Sequence, residues 1–294
     1  VANTARKTPP EPEDADPASK RSLHHFGTLI QADVHMHEGS GGGPLVNLRG
    51  EMVGLCVTLS GVPACETSGM AIPVDKTFLR VIDVLKQGRE VEYGFLGIQP
   101  VNLPQQQLIA GLHGTRVDRI VPGTPAARYG LREDDIITSV NGQPIYDVDG
   151  LYLEVGRLPV EATAHLAVLR NGSKLDIDVT LSKYPVRGKK IVTVKPDSWR
   201  GLRVDYPSAL LEAETFTRGS NLLVDDAVEV AEIEPDTVAA HSGIKRGMLI
   251  SAVDGQPVRT PKEFLAATVA KDGPVKLKLE AGDLSSNTLV LPAK

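Results

Sequence analysis

A chain of 294 residues with 41% hydrophobic and 23% charged residues is ordinary globular material, long enough for about two domains or three small ones. Its formal net charge of −5 withholds the positive field that grips a phosphate backbone, and no apolar run approaches the ~20 residues of a bilayer-crossing helix; nucleic-acid binding and a transmembrane span are therefore set aside. Two cysteines exclude a disulfide framework and any four-cysteine zinc site.

With 28 glycines and 21 prolines, the composition favours turn-rich β structure. Residues 1–22 carry four prolines among dense charges and read as a disordered or loop lead-in. No signal peptide is legible there, and the chain opens Val1-Ala2-Asn3 without an initiator methionine. Leu29–Val34, Pro44–Leu48 and Met52–Thr58 read as strands, with Arg49-Gly50-Glu51 as a hairpin tip. A helix follows over 75–87. Asp75 is placed to cap it, Phe78, Leu79, Ile82 and Leu85 share one face, and Gly88 sits where a C′ glycine belongs.

The strongest internal signal is a repeat. Val117 to Gly130 (VDRIVPGTPAARYG) returns as Val230 to Gly243 (VAEIEPDTVAAHSG), and Asn141 to Pro144 (NGQP) as Asp254 to Pro257 (DGQP), at a constant offset of 113 residues. Each copy predicts a strand (116–120; 228–233), a short Ala-Ala helix ended by glycine, a second strand (135–140; 248–253) and an Asn-Gly or Asp-Gly turn. A second helix follows around Asp149–Leu153 and Lys262–Ala266, where Thr260 to Glu263 forms a capping box with proline at N1. In the first copy a closing hairpin, 165–169 and 174–180, turns at Asn171-Gly172.

These blocks, together with Gly94 to Ile98 (GFLGI) and Trp199 to Leu202 (WRGL) upstream of them, resemble the PDZ domain in its circularly permuted bacterial form. The resemblance implies capture of C-terminal peptides as an added strand, with the carboxylate held by consecutive backbone amides in a glycine turn. Phe95, Leu96, Gly97 and Ile98 are the expected peptide-binding residues of the first copy, and Arg200, Gly201 and Leu202 those of the second. From loop glycine to motif proline is 25 residues in the first copy and 34 in the second. The extra nine fall near the acidic 206–226 stretch, so ligand binding is expected of the first copy above the second.

Upstream, Gly39 to Asn47 (GSGGGPLVN), with Gly50 to Leu55 and Gly69 to Pro73, resembles the nucleophile region of HtrA/DegP-type, trypsin-like serine proteases. That pattern places the catalytic serine at 41, counted from either end, and residue 41 is glycine. Gly39, Ser40 and Gly42 are read as a remnant oxyanion loop. No catalytic residue is assigned, because the histidine and aspartate of this family come from a first barrel that this chain does not show. The resemblance implies a β-rich, multidomain chain: the C-terminal part of a trypsin-like β-barrel domain (23–90), an α+β PDZ domain (93–185), a linker (186–197) and a second PDZ domain (198–292).

Other features weigh less. His35 and His37 would share a strand face, but without a third ligand they are read as solvated or loop-packed, and no metal or cofactor is expected. Cys56 and Cys65 are compatible with a disulfide or with two reduced, part-buried thiols. The pairs Asp134-Asp135 and Asp225-Asp226 are read as solvated. The functional expectation is an HtrA-lineage protein that binds C-termini or extended segments of misfolded proteins and no longer cleaves them. The alternative is part of an active serine endopeptidase of envelope quality control. Self-association and a periplasmic or envelope location are what the resemblance adds.

Overall fold

A computed structural model describes residues 3–6, 28–34, 36–57, 69–185, 192–210, 226–280 and 286–293. They fall into two compact units, one drawing on 1–91, 147–157 and 187–194, the other on 92–146, 158–186 and 195–294. Both copies of the repeat thus contribute to one unit, where the sequence reading separates 93–185 from 198–292.

The first unit holds a five-stranded antiparallel sheet of β1 (Asn3–Arg6), β2 (Leu29–Ala32), β3 (Pro44–Val46), β4 (Met52–Val57) and β5 (Gly69–Pro73), in the order β1-β2-β5-β4-β3. Gly54 on β4 allows close pairing, since a Cβ there would stand 2.9 Å from the Ala71 Cβ on β5. Helix α1 (Lys76–Lys86) starts as expected, with Asp75 accepting the Phe78 N–H at 2.8 Å. It ends at Gly88, whose φ of +69° is the left-handed conformation a C′ residue needs. None of its residues is fully buried, and Leu79 and Leu85 are each about half exposed, at 53% and 52%. Periodicity located the apolar stripe but not how far it is covered.

The second unit contains the repeat. Its first copy runs β6 (Gly94–Phe95), β7 (Ile98–Asn102), α2 (Gln105–Ile109), β8 (Thr115–Ile120), α3 (Pro125–Arg128), β9 (Ile136–Val140) and β10 (Gln143–Pro144). After α4 (Val148–Gly156), which clusters with the first unit, come β11 (Thr163–Arg170), β12 (Ser173–Thr180) and β13 (Ser182–Lys183). The second copy runs β14 (Leu202–Asp205), β15 (Val228–Ile233), α5 (Val238–His241), β16 (Leu249–Val253), β17 (Gln256–Pro257), α6 (Pro261–Thr268), β18 (Val275–Glu280) and β19 (Ser286–Leu291).

The two sheets have one topology. The first is β12-β11-β9-β8-β7 with β10 on β9; the second is β19-β18-β16-β15-β14 with β17 on β16. Even the irregularities repeat. The register slips between Gln99 and Pro100 against β8, and between Arg203 and Val204 against β15, which leaves Asp118 and Ala231 as the extra residues, 113 apart. Asn141-Gly142, Asn171-Gly172 and Asp254-Gly255 all take positive φ at both residues, as two-residue hairpin turns require. In α6 the Thr260 hydroxyl accepts the Glu263 N–H at 3.1 Å, while the Glu263 carboxylate reaches back to the Arg259 N–H at 2.7 Å. The second core gathers Trp199, Leu202, Val230, Ile250, Phe264 and Leu277.

A polar seam joins the copies. Lys183 on β13, only 3% exposed, binds Glu92 and Asp205 of β14, each at 2.9 Å. Beside it the Ser182 and Ser208 hydroxyls are hydrogen-bonded at 2.6 Å, Ser208 donates to the Lys183 carbonyl at 2.8 Å, and the Tyr206 hydroxyl donates to Glu161 at 2.9 Å. At another point Asp226 meets Arg128 of the first copy at 3.1 Å and Arg259 of the second at 3.4 Å.

Glu229 faces Asp205 across β14 and β15. Burial pushes its pKa from 4.5 up to about 7; Arg246 opposes the shift and Asp205 adds to it. A carboxyl that holds its proton more tightly when folded stabilises the protein most below its unfolded pKa and loses that contribution as pH rises through the folded one. Stability is therefore expected to fall between pH ~4.5 and ~7, and Glu229→Gln to flatten this slope in urea titrations taken across that window. An unchanged slope would assign the pH dependence to other groups.

Candidate functional site

The turn from Phe95 to Ile98 joins β6 to the sheet-edge strand β7. Its carbonyls are tied inward: Leu96 accepts the Ala126 N–H of α3 at 2.9 Å, and Gly97 accepts the Val121 N–H, also at 2.9 Å. In a trans peptide the C=O and the following N–H point in opposite directions. The Gly97 and Ile98 amides are therefore turned away from α3 and β8, toward the open edge of the sheet. Two successive outward N–H groups form a concave site for an anion. Phe95, Leu96 and Ile98 are themselves buried, at 7%, 4% and 8% exposure, so the turn is held from beneath.

Gly97 has a φ of +86°, and any Cβ there would fall inside the Thr124 side chain. Thr124 is wholly buried and its hydroxyl sits 3.1 Å from the Gly97 carbonyl and 2.7 Å from that of Val121. The resemblance implies a carboxylate held in front of this glycine turn. The structure adds that there is no room behind it.

The second turn keeps the same rear attachments. Arg200 O accepts from Ala239 at 3.2 Å, Gly201 O accepts from Glu234 at 2.8 Å, and Thr237 stands behind Gly201 as Thr124 does behind Gly97. Its front differs. Arg200 and Gly201 both have positive φ, +52° and +83°, and Trp199 and Leu202 exchange both main-chain bonds at 3.0 and 2.9 Å. The Leu202 amide, expected as a carboxylate donor, is already spent on the Trp199 carbonyl. The Arg200 side chain is spent too. Its guanidinium lies 4.4 Å over the Trp199 ring and donates to the carbonyls of Pro292, of Lys271 at 2.9 Å and of Gly273 at 2.7 Å. Trp199 packs edge-on against Phe264 of α6 at 6.2 Å. The sequence reading places Trp199 and Arg200 in this turn but gives no sign of the closing bonds or the clamps; the one available signal is an arginine directly before the turn glycine.

In the first unit, Glu38–Ser40 forms a single 3-10 turn. The Ser40 N–H donates to His37 O at 2.8 Å, Gly42 to Cys56 O of β4 at 2.8 Å and Gly43 to Ser40 O at 3.1 Å, so three amides of this segment are already engaged. The Ser40 hydroxyl accepts the His37 main-chain N–H at 3.1 Å, and among the described residues no imidazole or carboxylate is bonded to that hydroxyl. Gly41 is exposed, with an ordinary φ of −59° and ψ of 131°. A side chain fits that backbone; the sequence does not supply one.

The remaining candidates divide. Among the described residues no group of three or more histidine, cysteine or acidic side chains is placed to hold a metal; His24, His25 and His35 lie outside them. Cys56 is a buried free thiol, and Cys65 lies outside the described residues. The solvated reading of Asp134-Asp135 is corrected for one member. Asp134 is exposed and pairs with Arg116, but Asp135 is 1% exposed and takes two bonds of 2.7 Å from Arg170, whose pKa it raises further. Strand β9 begins beside it and β11 brings Arg170 across, a pairing that adjacency in sequence does not show. Asp225 lies outside the described residues, while exposed Asp226 bridges two arginines.

Residues 94–181 match the family model of the PDZ domain. Over 269 residues the chain is 26% identical to the periplasmic serine endoprotease DegP of Salmonella typhimurium, covering 90% of this chain and 53% of that protein. It is 33% identical over 267 residues to a probable periplasmic serine endoprotease DegP-like of Marinomonas, covering 87% and 54% respectively. The chain thus spans about half the length of the curated relatives it matches. A solved HtrA-type protease, AlgW with decapeptide, is 28% identical with a TM-score of 0.44, over 55% of this chain and 51% of that one.

Proposed function

The chain is a homologue of the DegP/HtrA-type serine proteases, and we propose that its own activity is recognition of protein C-termini rather than cleavage. In this reading residues 23–90 are the remnant of a trypsin-like domain, and 93–185 and 198–292 are PDZ modules of which the first binds ligand. The observation that carries it is the pair of outward amides at Gly97 and Ile98, beside an edge strand that a peptide can extend. The shared strand order, bulge and rear glycine contact support a second module of the same kind, whose turn is closed by Trp199. Loss of cleavage is supported by Gly41, which brings no hydroxyl to the nucleophile position, and by the capping role of Ser40. The periplasmic location named for the relatives supports the cell envelope as the place where this chain would meet unfolded chains.

A library of random decapeptides displayed with free C-termini, panned on the full chain, should enrich binders that Gly97→Ala abolishes. No enrichment would sink the peptide-binding reading. A fluorophosphonate should label neither the parent nor Gly41→Ser, because a serine without a base stays a weak nucleophile. Labelling of the parent at Ser40, with casein cleavage, would instead establish an active endopeptidase.

A further inference from the structure

The two copies offer their open strand edges differently, and one residue in each makes the difference. Val117 gives its N–H to the Asp135 carbonyl and its own carbonyl to the Asp134 N–H, both at 2.8 Å and both on the side away from β7. Pro100 lies opposite Val117. Residues facing each other in an antiparallel ladder alternate between bonded and non-bonded pairs, so a partner turned away marks a non-bonded pair. The main chain of Pro100 therefore faces the open edge, and proline has no N–H to present there. In the second copy Val230 is engaged in the same way, with Met248 and Gly247 at 2.9 Å, and the residue opposite it is Val204, which has an N–H. There the preceding outward position, Leu202, is the one already taken by Trp199.

We infer that Pro100 removes one rung from any strand that pairs with β7, leaving the terminal carboxylate as the main hold, so that the first copy takes free C-termini and internal extended segments fall out of its range. This rests on the peptide-binding reading above. An internal segment draws its main-chain affinity from the ladder alone, in which each net hydrogen bond is worth about two- to tenfold. A carboxylate meeting the Gly97 and Ile98 amides makes charge-assisted bonds, roughly twice as strong as neutral ones, and does not depend on Pro100.

The test uses the full chain and a fluorescein-labelled decapeptide enriched in the panning, as free acid and as C-terminal amide. Fluorescence anisotropy should show the amide at least about tenfold weaker on the parent. Pro100→Ala should tighten both forms by about three- to tenfold, one rung's worth. A third ligand guards against a misfolded variant: an ester replaces the amide whose carbonyl faces Pro100, giving a weaker acceptor. On the parent it should bind as the amide-linked peptide does, because nothing donates to that carbonyl. Equal affinity of acid and terminal amide, a severalfold ester penalty on the parent, or an unaltered affinity in a folded Pro100→Ala chain would each overturn the inference while leaving peptide binding intact. Absence of binding by every form would remove the peptide-binding reading itself.

Discussion

A Lys183→Met chain should lose about 3 kcal/mol of stability and should unfold in urea with its two repeats no longer in one step. The lysine is 3% exposed and lies between Glu92, 42% exposed, and Asp205, 15% exposed. Removing one member of a buried ion pair costs more than the pair was worth, because the other charge stays desolvated without its partner. Glu92 can turn to water; Asp205 is held, since it also accepts the Tyr206 N–H at 2.8 Å. The penalty should therefore trace to Asp205. The double variant Lys183→Met/Asp205→Asn should recover most of it, because an amide oxygen keeps the Tyr206 bond and needs no counter-charge. Glu92→Gln alone should cost under about 1 kcal/mol, the usual worth of an exposed pair. A single unfolding step of parental midpoint in Lys183→Met would show that the seam does not couple the copies.

That seam marks where reading the sequence stops. What could be read were devices confined to a few consecutive residues: the Asp75 cap, the Thr260 to Glu263 box, the Asn-Gly turns and the glycine ends of short helices. The constant offset of 113 then carried whole elements across, down to the bulge at Asp118 and Ala231. The candidate site was legible in the same way, as a glycine turn before a strand. Its partners were not. Lys183 and Asp205 are 22 residues apart, Asp135 and Arg170 are 35 apart, and nothing local in either pair announces the other. The closed second turn was hidden for a different reason. Arginine is an unusual occupant of positive φ, so Trp199 to Leu202 does not look like a two-residue hairpin; the clamp of Arg200 onto three carbonyls supplies what the backbone preference lacks. Pro100, by contrast, was visible throughout. Its meaning needed the orientation of Val117 on the neighbouring strand.

Gly97→Ala should destabilise the protein by about 2–5 kcal/mol and abolish C-terminal peptide capture. Two separate costs build that figure. A left-handed φ of +86° costs an L-residue about 1–2 kcal/mol, and forcing a methyl group against packed atoms adds about 1–3 kcal/mol. The second cost is the informative one. The new Cβ would fall inside Thr124, which cannot step aside without giving up its bonds to the Gly97 and Val121 carbonyls. Gly130→Ala separates the two. Gly130 has a comparable φ of +79°, and nothing lies within 4 Å of its Cβ position, so it should lose only the backbone share. If the two variants were destabilised equally, the contact with Thr124 would carry no weight. Should Gly97→Ala instead fold at near-parental stability yet lose its ligand, the glycine would be serving the incoming carboxylate directly. The expected order, a large loss at 97 and a small one at 130, means that Thr124 packs the Gly97 turn tightly from behind. The equivalent threonine of the second copy, Thr237, stands behind Gly201, in a turn whose front is already closed. Rear support is thus common to both copies, and what separates a binding turn from a sealed one lies on the solvent side: Trp199 in one, an open edge in the other.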